Sequence, residues 1–206
     1  MPLRRVCVYC GARSGARRVF LDAAEAFADV LVARGIGLVY GGASIGLMGA
    51  IADRVLAGGG EVIGVLPSAL FVAEVAHRNL TQLIEVTSMH ERKAEMARLA
   101  DAFVAMPGGF GTLDELFEAL TWTQIGIHDK PCGLLDVDGY FEHLLRFLER
   151  AVQDGFLAQR NLEHLVAHAD PNELIDTLTR SVTGPGLAVE QSRAGRDSGG
   201  TKPSSR

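Results

Sequence analysis

The sequence predicts an α/β fold: a Rossmann-like, doubly wound parallel sheet of about seven strands in a single domain. Three observations lead there. Short apolar runs alternate along the chain with longer helical patterns, and that alternation calls for crossover connections between parallel strands. The runs are apolar almost throughout, as strands are when helices cover both faces of a sheet. Glycine-rich loops follow three of the runs, as they do at the ligand-binding edge of open α/β sheets.

The elements follow in order. Val6-Cys7-Val8-Tyr9 marks a first strand over 5–9, and a helical pattern covers 19–34. A second strand at 37–40 leads through glycines into a helix over 46–57. Strands at 61–66 and 83–86 come next, then a helix over 89–100. A strand at 102–106 precedes a helix over 113–127. A strand at 132–136 precedes a helix over 139–154, which Gly155 stops. A last strand at 165–167 and a helix over 171–181 complete the set. The 206 residues, 48% hydrophobic with 24 glycines, suit one ordinary domain. That domain is expected to span 1–183. Residues 184–206 are rich in Gly, Ser and Arg without an apolar period and read as a disordered tail.

Net charge is −5, and the tail is net basic, so the body is more acidic still. An acidic body argues against general nucleic-acid binding. No apolar run approaches the ~20 residues of a membrane span, and the chain opens on a strand rather than a leader, so a cytoplasmic location is expected. Three cysteines provide no disulfide framework. Cys7 and Cys10 spell C-x-x-C, but a spacing of three in a strand sends the side chains to opposite faces. They read as two buried thiols.

The chemistry is expected in the loops beyond the strand ends. These are Cys10-Gly11-Ala12-Arg13-Ser14-Gly15, Gly41 to Gly49, and Pro107 to Glu115. Glycines let backbone N–H groups approach a ligand, and a following helix N-terminus favours an anion. Together the three loops describe a phosphate cradle. Gly42, Gly46 and Gly49 resemble a dinucleotide fingerprint, but they follow the second strand. The third strand ends in Val65-Leu66-Pro67, without the acid that holds a ribose hydroxyl. That loop reads either as a tight turn or as a wall of a nucleotide pocket.

In the third loop Gly108, Gly109 and Gly111 can wrap a phosphate, and Thr112 can cap a helix and add a hydroxyl donor. Glu115 then stands at the third helical position, where it either faces the ligand or closes a capping box with Thr112. The residues alone leave both open. Arg92 and Lys93 lie near the start of the 89–100 helix, where cations oppose the helix dipole. A bound anion or a nearby carboxylate would offset that. His90 reads as a structural hydrogen-bonding residue.

Ser88-Met89-His90-Glu91-Arg92-Lys93, followed by Pro107-Gly108-Gly109-Phe110-Gly111-Thr112-Leu113-Asp114-Glu115, resembles the paired signature of the LONELY GUY (LOG) family of cytokinin riboside 5′-monophosphate phosphoribohydrolases. The likeness continues through Thr121-Trp122-Thr123-Gln124-Ile125-Gly126-Ile127-His128-Asp129-Lys130-Pro131 and Asp138-Gly139-Tyr140-Phe141. It spans roughly residues 6–175. The resemblance implies a Rossmann-like fold, a homodimer, a nucleoside monophosphate as the small-molecule partner, and no cofactor. It implies Arg92 and Glu115 as the catalytic pair. It also implies Glu74, Arg92, Lys93, Gly108, Gly109, Phe110, Gly111, Thr112, Leu113, Asp114, Glu115 and Thr121 as substrate-binding positions. Ala43 and Ala12 depart from the glycine and serine of many members.

The implied reaction builds positive charge on the ribose as the base leaves. A carboxylate at Glu115 would stabilise that charge or activate water, and Arg92 would keep it ionised and hold phosphate or ribose oxygens. Three other readings are weighed. A pyridoxal-phosphate decarboxylase needs a Schiff-base lysine, and the chain holds Lys93, Lys130 and Lys202, none in such a context. A deoxyribosyltransferase would use a carboxylate nucleophile. A non-catalytic nucleotide carrier of the same fold needs the glycine loop but not the Arg92 and Glu115 pair. No metal cluster is visible, and the base is either adenine or a prenylated adenine.

Overall fold

The computed structural model describes residues 2–68 and 76–183. The expected disordered tail at 184–206 and the implied ligand-binding Glu74 therefore lie outside the described residues. Among the described residues the seven strands are β1 (Arg5–Tyr9), β2 (Gly37–Tyr40), β3 (Val62–Pro67), β4 (Gln82–Val86), β5 (Ala102–Ala105), β6 (Cys132–Leu135) and β7 (Leu165–His168). They form one sheet in the order β4-β3-β2-β1-β5-β6-β7, every neighbouring pair parallel. Each strand bound falls within one residue of its expected position.

Among the described residues the helices are α1 (Val19–Ala33), α2 (Gly46–Ala57), α3 (Met89–Leu99), α4 (Phe110–Gln124), α5 (Glu142–Gln153), α6 (Gln159–Leu162) and α7 (Pro171–Thr183). Three details differ from the sequence reading. The short α6 carries no period long enough to be recognised. The pattern at 139–154 divides into a 3-10 turn at Val137–Gly139 and α5, because Asp138 and Gly139 both adopt a left-handed φ, 53° and 71°. And α4 runs from Phe110 to Gln124 rather than over 113–127, with Gly109 as its N-cap. Gly109 stands at the N-cap, which accepts glycine, and only Gly111 falls within the first turn.

Alternate residues of the strands feed two cores. Val6, Val8, Leu38 and Tyr40 pack with Phe27, Leu31, Ile51, Val55, Leu174 and Leu178 on the face covered by α1, α2 and α7. Cys7, Tyr9, Val39 and Phe103 pack with Met96, Leu116, Phe141 and Leu148 on the face covered by α3, α4 and α5. Cys7 and Cys10 thus point into different cores, as their spacing requires. Burial pushes both thiols up, well beyond the usual thiol range. Among the described residues no helix is long and apolar enough to cross a membrane.

The chain winds outward from β1 in both directions, through β2 to β4 on one side and β5 to β7 on the other. The loops after β1 and β5 consequently diverge and leave a crevice at their carboxyl ends. Gly11 N–H donates to the Pro107 carbonyl at 3.0 Å and ties the two loops together at its floor.

Candidate active site

A cavity of about 500 Å³ opens at this crevice. The loop after β1 contributes Cys10 to Gly15, α2 contributes Leu47 and Met48, and α3 contributes Arg92. The loop after β5 and the start of α4 contribute Pro107, Gly108, Gly109, Gly111, Thr112 and Glu115, and Phe20 and Tyr140 close one wall. Tyr140 O–H donates to the Gly108 carbonyl at 2.6 Å, which braces the glycine loop from outside.

Arg92 and Glu115 meet at the cavity. Each is 8% exposed. Arg92 Nη1 donates to Glu115 Oε1 at 2.8 Å, and Arg92 Nε donates to the Val65 carbonyl at 3.1 Å. The guanidinium sits against Gly41: a Cβ built on Gly41 would lie 1.9 Å from Arg92 Nη2. The second glycine loop is therefore chiefly structural. Gly41 makes room for Arg92, Gly42 turns with a φ of +77°, and Gly46 presses on Ala12 where a Cβ would come within 2.4 Å of backbone. Only Leu47 and Met48 from its far end reach the cavity lining. The chain re-enters the described region at Ala76, which pairs with Ala43. Next to it, His77 N–H donates to the Gly42 carbonyl at 2.9 Å, and His77 Nε2 bonds Asp53 at 2.9 Å.

Burial raises the Glu115 carboxyl above the usual carboxylate range, and the positive charge of Arg92 opposes the shift without cancelling it. Its Oε2 has no partner among the described residues. The Thr112–Glu115 capping box does not form. With α4 starting at Phe110, Thr112 is its third residue and Glu115 its sixth, and no side chain caps the helix. Thr112 Oγ1 has no hydrogen-bond partner among the described residues and stands on the cavity wall. A side-chain cap does close one helix earlier, with its acid reaching the residue before the N-cap. Ser88 Oγ accepts from Glu91 N–H at 3.1 Å, and Glu91 accepts from Thr87 N–H at 2.7 Å. His90 is exposed and its side chain makes no hydrogen bond among the described residues, so the structural role expected of it is not met.

The other residues implied by resemblance lie away from the lining. Lys93 is 9% exposed and binds Glu118 at 2.9 Å and Asp114 at 3.2 Å. Burial depresses its pKa, and these two carboxylates more than offset that, so the ammonium is held charged. Both cations at the start of α3 are thus neutralised by carboxylates of α4. Phe110 is 94% exposed, with its side chain outside the cavity. Leu113 packs with the core beneath α4. Thr121 donates to the Phe117 carbonyl at 2.6 Å and lines a separate apolar groove of about 90 Å³ between α4, α5 and α6.

The cavity also contains residues that motif reading did not assign: Arg13, Ser14, Phe20, Met48 and Tyr140. Position after β1 pointed to the first two. Met48 belongs to the second glycine loop and Tyr140 to the 138–141 segment of the family likeness, whereas Phe20 carries no local signal, because only packing brings it to this edge.

A family profile described as "Possible lysine decarboxylase" matches residues 48–178. The chain is 52% identical over 179 residues to the probable cytokinin riboside 5′-monophosphate phosphoribohydrolase LOGL9 of Oryza sativa subsp. japonica, covering 87% of this chain and 79% of that one. The chain belongs to the LOG family. It is also 49% identical over 175 residues to the phosphoribohydrolase LOG5 of Arabidopsis thaliana, covering 85% of this chain and 77% of that one. Among solved structures, this LOG-family chain resembles the molybdenum cofactor binding protein of Rippkaea orientalis, with a TM-score of 0.67 at 22% identity, over 89% of this chain and 99% of that one. That likeness is one of fold. Decarboxylase chemistry through pyridoxal phosphate does not fit the described lysines of the LOG-family chain. Lys93 is locked between two carboxylates, Lys130 Nζ donates to the Ala97 carbonyl at 2.7 Å, and neither lines the cavity.

Proposed function

We propose that the chain hydrolyses the N-glycosidic bond of an adenine-type nucleoside 5′-monophosphate, with or without an N6-prenyl group. The observation that carries this reading is the buried Arg92–Glu115 pair, set in the same cavity as the exposed N-terminus of α4. The first-turn N–H groups of α4 and the Thr112 hydroxyl hold the phosphate. The ribose then lies over Glu115, whose free oxygen faces the anomeric carbon. As the C1′–N bond breaks, the carboxylate stabilises the oxocarbenium-like ribose and orients the incoming water. Water adds across the bond, its oxygen going to C1′ and a proton to the departing base. Arg92 keeps Glu115 in the ionised form that burial alone disfavours, and its fixed geometry suits ribose or phosphate oxygens. Phosphate binding energy becomes available to position the ribose, and this explains a preference for nucleotides. In this reading Arg92 and Glu115 are the catalytic residues, and Gly108, Gly109, Gly111 and Thr112 the cradle. Lys93, Asp114 and Leu113 support the helices that present them.

Purified protein is expected to release free base and ribose 5-phosphate from AMP and from prenyl-AMP, assayed in parallel by chromatography, without added NAD or metal. Equal efficiency on the unphosphorylated riboside would overturn the phosphate-cradle argument.

The proposal extends to assembly as a cytoplasmic homodimer. Ile125 and Ile127 at the end of α4 are 62% and 63% exposed, and Phe147 and Phe156 are 64% and 89% exposed. Apolar groups of this size in water favour an isologous contact between two copies. Three free thiols suit a reducing compartment. Light scattering at micromolar concentration is expected to report a dimer, and Ile127→Asp to shift it toward monomer. A monomeric parent protein would remove this part of the proposal.

A further inference from the structure

The cavity holds one charge that nothing neutralises among the described residues. Arg92 and Glu115 offset each other, whereas Arg13 also lines the cavity, is exposed, and has no hydrogen-bond or ion-pair partner among the described residues. Its neighbours on the same loop are engaged. Arg17 pairs with Asp138 and lies over the Phe20 ring, and Arg18 pairs with Asp22 at 2.9 Å. The backbone that carries Arg13 is fixed. Gly11 is tied to Pro107, Leu47 N–H donates to the Gly11 carbonyl at 3.1 Å, and Gly46 packs so tightly that a Cβ there would lie 2.5 Å from Arg13 N. The loop bearing Arg13 is thus hydrogen-bonded to the loop that ends at the N-cap of α4.

Charge balance gives this residue a task. A phosphate monoester carries roughly −1.5 to −2 at neutral pH. The N-terminus of a helix supplies the equivalent of roughly +0.5, and Arg92 is already matched by Glu115. One full positive charge is missing, and Arg13 is the cation on the wall without a partner among the described residues. A guanidinium fits phosphate oxygens in bidentate geometry. We propose that Arg13 is a specificity-determining residue that closes on the 5′-phosphate of the substrate and sets the selectivity for nucleoside monophosphates over nucleosides. This rests on the phosphoribohydrolase reading given above.

The test uses the full chain with Arg13→Ala and Arg13→Lys, and two readouts. In the first, the ratio of kcat/KM for AMP to kcat/KM for adenosine is expected to fall roughly tenfold to a hundredfold in Arg13→Ala, the range of a lost charge-assisted hydrogen bond. Arg13→Lys is expected to recover part of that ratio. In the second, calorimetric titration with ribose 5-phosphate is expected to show binding weakened by a similar factor and less sensitive to salt. An unchanged ratio, or an equal loss for AMP and adenosine, would overturn the proposal. So would ribose 5-phosphate binding that is absent in the parent or unaltered by the substitution. If the parent turns over no nucleotide, the functional reading fails, while the titration still decides whether Arg13 holds phosphate.

Discussion

Replacing Glu115 by glutamine is expected to lower turnover roughly a hundredfold or more, equivalent to about 3 kcal/mol on the barrier, while leaving nucleotide binding largely intact. Glutamine keeps the shape and can still accept from Arg92 Nη1, which now lies 2.8 Å from the carboxylate. It cannot supply the negative charge that a developing oxocarbenium requires. Because burial holds the Glu115 carboxyl above its ordinary range, the kcat–pH profile of the parent should rise along a limb placed above that of a free carboxylic acid. Arg92→Ala removes the charge that opposes the shift, so the limb should move further to alkaline pH as activity falls. Stability provides a second, opposite signal. A carboxyl with a raised folded-state pKa stabilises the fold fully below the unfolded pKa, and this is lost as pH rises through the folded value. At neutral pH the Glu115→Gln melting temperature should therefore equal or exceed that of the parent, and the difference should shrink in acid. The double variant should be scarcely worse than the poorer single, because the two groups act as a unit. A fully active Glu115→Gln enzyme would leave the mechanism without its central group.

The second large effect is expected from a residue that touches no substrate. In Gly41→Ala the added methyl would lie 1.9 Å from Arg92 Nη2 and 3.2 Å from Met48 Sδ. The guanidinium cannot swing aside freely, since the Val65 carbonyl and Glu115 hold it at two other atoms. It must tilt away from the carboxylate or force β2 and α3 apart. Displacement of a positioned group by about 1 Å can cost on the order of a hundredfold in rate, so kcat is expected to drop by roughly that factor. The pH limb should move in the same direction as in Arg92→Ala, a signature that general destabilisation would not produce. Activity within about threefold of the parent, with an unmoved limb, would show that Arg92 tolerates the methyl and that Gly41 does not set its position.

The sequence by itself determined the layers of this protein. Apolar runs such as Val6–Tyr9 and 102–106, separated by helical periods, are local signals, and burial on both faces leaves them no other reading. Glycine clusters after those runs marked the edge where the cavity opens, and the spacing of Cys7 and Cys10 placed two thiols in two cores. The paired motifs at 88–93 and 107–115 pointed to the family. What the sequence left open depended on distances between segments far apart in the chain. Whether Glu115 closes a capping box turned on where α4 starts, and a glycine N-cap offers no side-chain signal for that position. Whether Arg92 and Lys93 are solvated or paired depended on carboxylates of another helix, and the packing of α3 on α4 brought those within reach. Gly41 looked like one glycine of a turn until the Arg92 guanidinium was found in the space its missing side chain leaves. Arg13 became distinguishable from its neighbours only when each of them acquired a partner. Charge and contact are properties of pairs, and pairs of residues this distant in sequence exist only once the strands are wound on either side of β1.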